Sequence, residues 1–176
     1  MIFTETELSG AYIIDLEQRR DQRGFFARMF CVQEFEAHGL NSSVAQCSLS
    51  FNHKQGTLRG MHYQVAPAAE SKVVRCIRGA IHDVIIDLRP DSKTFKSYTS
   101  VELTAENHRS LYIPEGFAHG FQTLTDQVEV LYQMSEFYEP DCQRGLLYSD
   151  PTFDIAWPLP INSISEKDAT LPLFES

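Results

Sequence analysis

The stretch Gly56-Thr-Leu-Arg-Gly-Met-His-Tyr-Gln64 reads as a β-strand that carries two side chains suited to chemistry. Arg59 offers a permanently charged fork for phosphate or carboxylate, and His62 can exchange protons near neutral pH. Strict alternation puts these two side chains on opposite faces, because successive residues of a strand point to opposite sides. We predict a β-bulge at Gly60 that returns them to one side, since glycine tolerates the backbone that a bulge requires. The alternative is a plain strand with two polar residues that face solvent.

The rest of the chain reads as a series of similar strands. Turn-forming segments separate runs that are rich in Val, Ile, Phe, Tyr and Thr. The predicted strands are residues 11–16, 24–30, 43–51, 56–64, 72–78, 80–88, 97–103, 110–113, 117–124 and 128–138. Short helices are predicted at residues 32–38, where Gly39 ends the helix, and at residues 165–169. Many short strands at regular spacing favour a β-sandwich or barrel, with an irregular tail after residue 150 that wraps around it.

Length and charge narrow the class of protein. The chain has 176 residues and a formal net charge of -9, with 43% hydrophobic and 22% charged residues. These values predict one soluble domain over residues 1–176 and argue against a nucleic-acid-binding protein, which needs a basic face. An anionic ligand is still compatible with this charge, because a local cluster of Arg and Lys can override the global sign.

Two further features concern the environment of the protein. Residues 1–10 contain neither a basic region nor an apolar run, so we expect no signal peptide, no membrane span and a cytoplasmic location. The cysteines are widely spaced and form no Cys-x-x-Cys pair, which favours buried, reduced thiols over a zinc ribbon, a redox motif or a disulfide framework. They are Cys31, Cys47, Cys76 and Cys142.

Strand periodicity assigns faces to several polar residues. In the strand 80–88, Asp83 shares a face with Ile81 and Ile85, so its carboxylate is predicted to be buried and to need a partner. In the strand 128–138, Tyr132 and Tyr138 are predicted to point the same way, because they are an even number of residues apart.

The stretch Ile113-Pro-Glu-Gly-Phe-Ala-His-Gly-Phe121 places a second histidine in a distinctive setting. Its Pro-x-Gly-x-x-His spacing resembles the second signature of the cupin β-barrels, in which the histidine often binds a metal. The first cupin signature has His-x-His followed by Glu, whereas this chain has His62-Tyr-Gln64 followed by Ala68 and Ala69. Two histidines alone make a poor divalent site, so we predict no metal. A metal-dependent cupin enzyme is the alternative.

A closer resemblance covers nearly the whole chain. The sequence resembles the dTDP-4-dehydrorhamnose 3,5-epimerases, the RmlC family, through a series of short motifs in a specific order. The matching pieces are Asp21-Gln-Arg-Gly-Phe-Phe26, Gly56 to Gln64, Lys72-Val-Val-Arg-Cys-Ile-Arg-Gly79, His82-Asp-Val-Ile-Ile-Asp-Leu-Arg89, Tyr112 to Phe121, Tyr132, Tyr138, Asp150-Pro151, Ile155-Ala-Trp-Pro158 and Ser165-Glu-Lys-Asp168. The resemblance implies an all-β, cupin-type jelly-roll barrel with a few short helices and an irregular C-terminal tail.

The resemblance also implies catalytic roles. The family epimerises a nucleotide-linked 4-keto-6-deoxyhexose through an enolate and needs no cofactor. His62 matches its base, Asp168 the carboxylate that orients this base, and Tyr132 the proton donor on the opposite face. Lys72 matches the residue near the developing oxyanion. The remaining pocket positions in this match are Asp83 and His119.

Substrate-binding residues follow from the same resemblance. Arg23 and Arg59 match contacts to the diphosphate and sugar, where a bidentate guanidinium fits. Phe26 and Tyr138 are suited to packing on the thymine or the sugar, and Gln46 is a candidate contact to base or phosphate. In the family a strand exchanged from a second subunit completes the nucleotide site, which implies a homodimer.

Two departures from the family pattern concern the substrate. Ser48 stands where many relatives have Asn, and Arg28 stands where many have Glu. These departures bear on the choice of substrate and not on the type of reaction. The resemblance implies epimerisation of a nucleotide-sugar substrate, dTDP-4-dehydro-6-deoxy-D-glucose, to dTDP-4-dehydro-L-rhamnose. The alternatives are an enzyme that inverts only carbon 3 or only carbon 5, one that uses a CDP- or GDP-sugar, or a sugar-binding barrel without activity.

Overall fold

A computed structural model describes residues 1–175, and within them the chain forms thirteen strands and two α-helices. The strands are β1 Ile2–Glu5, β2 Tyr12–Asp15, β3 Arg19–Asp21, β4 Gly24–Phe26, β5 Gln46–Asn52, β6 Leu58–Gln64, β7 Lys72–Arg78, β8 Ala80–Asp87, β9 Tyr98–Thr104, β10 Ser110–Ile113, β11 Phe117–Thr123, β12 Val128–Met134 and β13 Gln143–Gly145. The helices are α1 Val32–Ala37 and α2 Glu166–Ala169, and a 3-10 turn spans Pro140–Cys142.

Two antiparallel sheets form the body of the structure. One has six strands in the order β1-β2-β10-β7-β12-β5, and the other has five in the order β13-β6-β11-β8-β9. Their facing surfaces enclose a core that includes Ile85, Leu103, Leu111 and Val130. The chain passes repeatedly from one sheet to the other, as it does in a jelly roll, so the predicted fold class is confirmed.

The C-terminal segment covers the outer face of the five-stranded sheet. Leu146 and Phe153 pack with Met61, Val84 and Ile86 in a second buried cluster. This face of the sheet is therefore buried as well, which explains why six of the eight residues of β8 are buried instead of every second one. Further along this segment α2 lies against β6, and after α2 the ring of Phe174 packs on the same cluster.

The predicted bulge in β6 is confirmed. His62 pairs with His119 and Arg59 pairs with Phe121, so three steps along β6 face two steps along β11. The extra residue lies at Gly60, whose φ is +119°. A Cβ atom at Gly60 would lie 2.5 Å from the Cα of Gly120 and 2.8 Å from the carbonyl oxygen of His119. The two strands can approach this closely only because both positions are glycine.

Several predicted strand boundaries were wrong. The strand predicted over residues 128–138 ends at Met134, where it pairs with the first residues of both neighbouring strands, Gln46 and Lys72, so neither neighbour extends past that point as a strand. Tyr138 therefore does not lie on a strand with Tyr132. The strand predicted over residues 24–30 ends at Phe26, because its partner β3 begins at Arg19.

The remaining differences between the predicted and the observed elements concern short edge strands and the ends of the helices. The strands β1, β3 and β13 were not predicted, since three or four residues carry too little periodicity to detect. Both predicted helices are present, each slightly shorter than expected. Neither of them, within residues 1–175, has the length and apolar character needed to cross a membrane. The four cysteines are free of disulfides, and Cys76 is buried as predicted, whereas Cys47 is exposed.

The close contact at Gly60 makes a stability prediction. Gly60→Ala should lower the free energy of unfolding by at least about 2 kcal/mol, because the new methyl group meets backbone atoms that cannot move aside. Urea denaturation of the purified variant measures this loss.

Gly24→Ala is the matched control. Gly24 also has a positive φ, +132°, but a Cβ atom there would meet nothing within 4 Å. A similar loss in both variants would show that backbone conformation alone, rather than the packing of β6 on β11, requires glycine at position 60.

Candidate active site

A cavity of about 360 Å³ opens between the two sheets, within the size range of small-molecule sites. Both sheets and α2 contribute to its walls. The lining residues are Ser48, Ser50, Arg59, His62, Lys72, His119, Phe121, Tyr132, Met134, Ser165 and Asp168. The cavity thus brings together seven of the predicted site residues: Ser48, Arg59, His62, Lys72, His119, Tyr132 and Asp168.

The imidazole of His62 is held by Asp168. The distance from His62 Nε2 to Asp168 Oδ1 is 2.8 Å, and the other carboxylate oxygen accepts a hydrogen bond from the backbone N–H of Gly60 at 3.2 Å. The bulge that places His62 in the cavity therefore also presents an amide to the same carboxylate. Ser165 caps α2 by accepting a hydrogen bond from the Asp168 backbone N–H, which fixes the helical turn that carries the carboxylate.

Electrostatics define the tautomer of His62. Burial alone would raise the pKa of Asp168, but the hydrogen bond and charge interaction with His62 and the Gly60 amide outweigh it and hold the pKa below its usual value. Asp168 is therefore a carboxylate at neutral pH and accepts the proton that His62 carries on Nε2. The lone pair of neutral His62 then lies on Nδ1, which suits it to act as a base.

Tyr132 reaches the cavity from the opposite sheet. It lies in β12 between Ser48 of β5 and Val74 of β7. Burial raises the pKa of its hydroxyl, and the negative charge of Asp83 adds to this effect. The phenol therefore stays protonated at neutral pH and can act only as a hydrogen-bond or proton donor towards a ligand that carries negative charge.

A second pair of a histidine and a carboxylate lies next to Tyr132. His119 Nε2 is 2.7 Å from Asp83 Oδ1, and both side chains are almost fully buried. The His119 ring meets the Tyr132 ring edge-on, with 6.0 Å between their centroids. The prediction that Asp83 is a buried carboxylate with a partner is confirmed, although Asp83 itself lies behind the cavity wall rather than in it.

Two cations complete the cavity. Lys72, at the start of β7, has its Nζ 2.6 Å from the Glu70 carboxylate. Arg59 Nε donates a hydrogen bond of 2.7 Å to Asn52 Oδ1. The arrangement offers a base on one wall, a proton donor on the facing wall and fixed positive charge for an anionic ligand.

The predicted residues of the N-terminal hairpin lie elsewhere in this chain. Arg23 pairs with Asp21, Arg28 pairs with Glu34 at 2.7 Å, and the Phe26 ring is 76% exposed. A single chain therefore does not bring these three residues to the cavity.

Two other predicted residues lie outside the cavity wall. The backbone N–H of Tyr138 donates to Gln46 Oε1 at 3.2 Å, and the Tyr138 hydroxyl donates to Gln143 Oε1 at 2.6 Å. Tyr138 is half exposed, which follows from its position beyond the end of β12.

Four lining residues were missed by the sequence analysis: Ser50, Phe121, Met134 and Ser165. Alternation could have found the first three, because each lies two residues from a predicted site residue on the same strand. Ser165 could have been found as the N-cap of the short helix that ends in Asp168.

The histidines do not form part of a metal-binding cluster. Over the described range 1–175, no group of three or more His, Cys, Asp or Glu side chains could hold a metal ion. A second cleft, about 620 Å³, lies under the C-terminal segment and shares His62 with the cavity, but Lys72, Tyr132 and Asp168 do not line it.

A family of known proteins matches nearly the whole chain. The family model described as dTDP-4-dehydrorhamnose 3,5-epimerase matches residues 5–176. This chain belongs to that family. A family member from Shigella flexneri is 42% identical over 93% of this chain and 91% of its own length.

Solved structures extend the comparison. The dTDP-4-dehydrorhamnose 3,5-epimerase of Bacillus anthracis, crystallised with TDP and PPi, has a TM-score of 0.94 and 39% identity, covering 98% of this chain and 99% of its own. The Legionella pneumophila enzyme in complex with dTDP-4-keto-L-rhamnose has a TM-score of 0.89 and 32% identity, covering 99% of both chains.

The contact between His62 and Asp168 predicts the position of a proton. In ¹⁵N-histidine-labelled protein, neutral His62 should be protonated on Nε2, because Asp168 accepts that proton. Long-range ¹H–¹⁵N spectra report the tautomer directly. In Asp168→Asn the preference for this tautomer should weaken, while His119, which pairs with Asp83, should keep its spectrum. A neutral His62 protonated on Nδ1 in the unmodified protein would contradict the assignment of the base.

Proposed function

We propose that this protein converts dTDP-4-dehydro-6-deoxy-D-glucose into dTDP-4-dehydro-L-rhamnose by inverting carbons 3 and 5. The observation that carries the proposal is the pairing of a carboxylate-backed imidazole and a protonated phenol on facing walls of one cavity, in a chain of this family. The finding that relatives bind TDP or a dTDP-linked keto sugar supports a dTDP-sugar as the substrate.

The chemistry starts from the ketone at carbon 4 of the sugar. It acidifies the protons on carbons 3 and 5, because loss of either proton gives an enolate. His62 Nδ1 takes the proton, the electron pair moves onto the carbonyl oxygen, and the Lys72 ammonium stabilises the resulting negative charge. Tyr132 then gives a proton to the opposite face of the same carbon, which inverts it.

Each inversion must end with both groups restored. His62 leaves the step as an imidazolium, which the Asp168 carboxylate stabilises, and Tyr132 leaves it as a phenolate. Exchange with solvent removes the proton from His62 and returns one to Tyr132, so the sequence can repeat at the second carbon. The scheme uses no cofactor, and metal analysis of active protein is the direct check on that expectation.

Binding of the nucleotide is assigned to the charged end of the cavity. Arg59 is suited to the diphosphate and is held by Asn52 of β5, the strand of the facing sheet that also carries Ser48 and Ser50. Gln46 and Tyr138 contact each other at the start of β5, the end of the strand opposite Asn52, and are proposed to contact the nucleoside. Ser48 leaves more room than the asparagine found in many relatives.

The exposed N-terminal hairpin supports a homodimer. Arg23 and Phe26 are strongly exposed on β3–β4 and contribute nothing to the cavity of their own chain. We propose that this hairpin, with Arg28 at its end, completes the nucleotide site of a second copy. An exposed aromatic ring beside an exposed guanidinium is suited to a stacked base and a diphosphate.

Deuterium uptake tests the reaction. In D₂O, the protein should introduce deuterium at carbons 3 and 5 of dTDP-4-dehydro-6-deoxy-D-glucose, and NMR should show the L-sugar. Uptake at one carbon only would identify a single-centre epimerase. Absence of uptake with dTDP-, CDP- and GDP-linked substrates would reject the epimerase assignment.

Variants separate the two proton-transfer roles. His62→Ala should lose turnover by at least about 10³-fold yet still bind dTDP, because the base is lost and the nucleotide contacts are kept. Tyr132→Phe should lose inversion while His62 still exchanges the substrate proton with solvent. Tyr98→Phe, which removes a hydroxyl outside the cavity, is the matched control and should keep full activity.

Subunit mixing tests the exchanged hairpin. His62→Ala and the double variant Arg23→Ala/Phe26→Ala should each be inactive alone. After subunit exchange, half of the dimers are mixed and each has one intact site, so activity should return to about a quarter of the wild-type value. A mixture that stays inactive, although mass spectrometry shows mixed dimers, would place the hairpin outside the site.

A further inference from the structure

An ion pair stands immediately behind the Lys72 ammonium. Glu70 Oε1 lies 2.6 Å from Lys72 Nζ, and the two side chains are only 10% and 11% exposed. Lys72 lines the cavity, whereas Glu70 does not. We propose that Glu70 is a positioning residue, which holds the Lys72 ammonium where it meets the enolate oxygen of the sugar. The inference rests on the proposed function.

The spacing of the two residues explains their contact. Residues 70 and 72 are two apart in an extended segment that leads into β7, so their side chains lie on the same side of the chain. Lys72 is the first residue of β7 and is paired on both sides, with Ile113 of β10 and Met134 of β12. Its backbone position is therefore defined by two neighbouring strands.

The backbone that carries Glu70 is fixed as well. The N–H of Ser71 donates to Ser135 Oγ at 2.8 Å, and the N–H of Ser135 donates to the Ser71 carbonyl at 3.0 Å. Earlier in the same loop, Gln64 Nε2 donates a hydrogen bond to the Ala68 carbonyl at 2.9 Å. The carboxylate thus approaches Lys72 from a rigid support, which is what a positioning group needs.

Stability alone gives little reason for this pair. Two charges that are almost removed from water recover little net free energy by pairing, because the loss of hydration offsets their attraction. A lysine side chain is long and flexible, and its ammonium has three protons to donate. Glu70 accepts one of them, which fixes the direction of the other two and leaves them for a ligand in the cavity.

Positioning and neutralisation of charge make different predictions for the amide variant. A glutamine at position 70 keeps an oxygen that can accept the hydrogen bond from Lys72 but carries no charge. If Glu70 acts by holding the ammonium, Glu70→Gln should recover most of the activity that Glu70→Ala loses. If the negative charge itself were needed, the two variants would be equally impaired.

Steady-state kinetics with dTDP-4-dehydro-6-deoxy-D-glucose test the proposal. Glu70→Ala should lower kcat by roughly tenfold or more, with KM and the Kd for dTDP within about threefold of wild type, because only a contact made during the reaction is lost. Asp15→Ala is the control. It removes the carboxylate of another ion pair, with Arg109 at 2.9 Å and outside the cavity, and should leave kcat unchanged.

A double-mutant cycle shows whether Glu70 acts through Lys72. In a Lys72→Met background, adding Glu70→Ala should cause no further loss of kcat, because the group that Glu70 positions is already absent. An equal fold-loss in both backgrounds would overturn the proposal, as would a Glu70→Ala protein with wild-type kcat, or a Glu70→Gln protein as impaired as Glu70→Ala.

A replacement variant and a wild-type control complete the experiment. Glu70→Met preserves the methylene volume and replaces the alanine variant if the latter fails to bind dTDP. Wild-type turnover in the same assay distinguishes a failure of the proposed function from a failure of the Glu70 inference. Failure of the proposed function removes turnover from every protein in the series, whereas failure of the Glu70 inference leaves wild type active and Glu70→Ala equal to it.

Discussion

The close approach of β6 to β11 at Gly60 and Gly120 is the constraint on which the site depends. It adds one residue to β6 between Arg59 and His62, and so turns both side chains into the space between the sheets. It also directs the Gly60 amide at Asp168, the carboxylate that holds His62. Without the bulge, alternation would send one of the two side chains away from the cavity.

Three of the basic side chains that line the cavity are each paired with a carboxylate. Asp168 stands behind His62, Asp83 behind His119 and Glu70 behind Lys72, at distances of 2.6–2.8 Å. Each accepts one proton and so determines which nitrogen or which protons face the cavity. No carboxylate within residues 1–175 is hydrogen-bonded to the phenol of Tyr132, and burial keeps it protonated. The proposed base and the proposed donor therefore differ in their surroundings as well as in residue type.

Much of this architecture could be predicted from sequence, for reasons visible in particular residues. Alternation identified the buried Asp83, and a glycine between two functional residues identified the bulge. Alternation could not show where β12 ends, since that depends on where Gln46 and Lys72 begin their strands. The proposed roles of Tyr132 and Asp168 came only from the family resemblance, because the two residues are 36 apart in sequence and line one cavity only once α2 packs on β6. The proposed contact of the N-terminal hairpin with the cavity of a second copy involves two chains, and no pattern within one sequence indicates how two copies would meet.

His62 and Tyr132 are proposed to act from opposite faces of one bound sugar. A crystal structure with dTDP-glucose, which has a hydroxyl in place of the reactive ketone, tests this geometry without turnover. We expect the hexose to lie between the His62 imidazole and the Tyr132 hydroxyl, with its carbon 4 oxygen directed to Lys72. A hexose bound outside this cavity, or one with both groups on the same face of the ring, would contradict it.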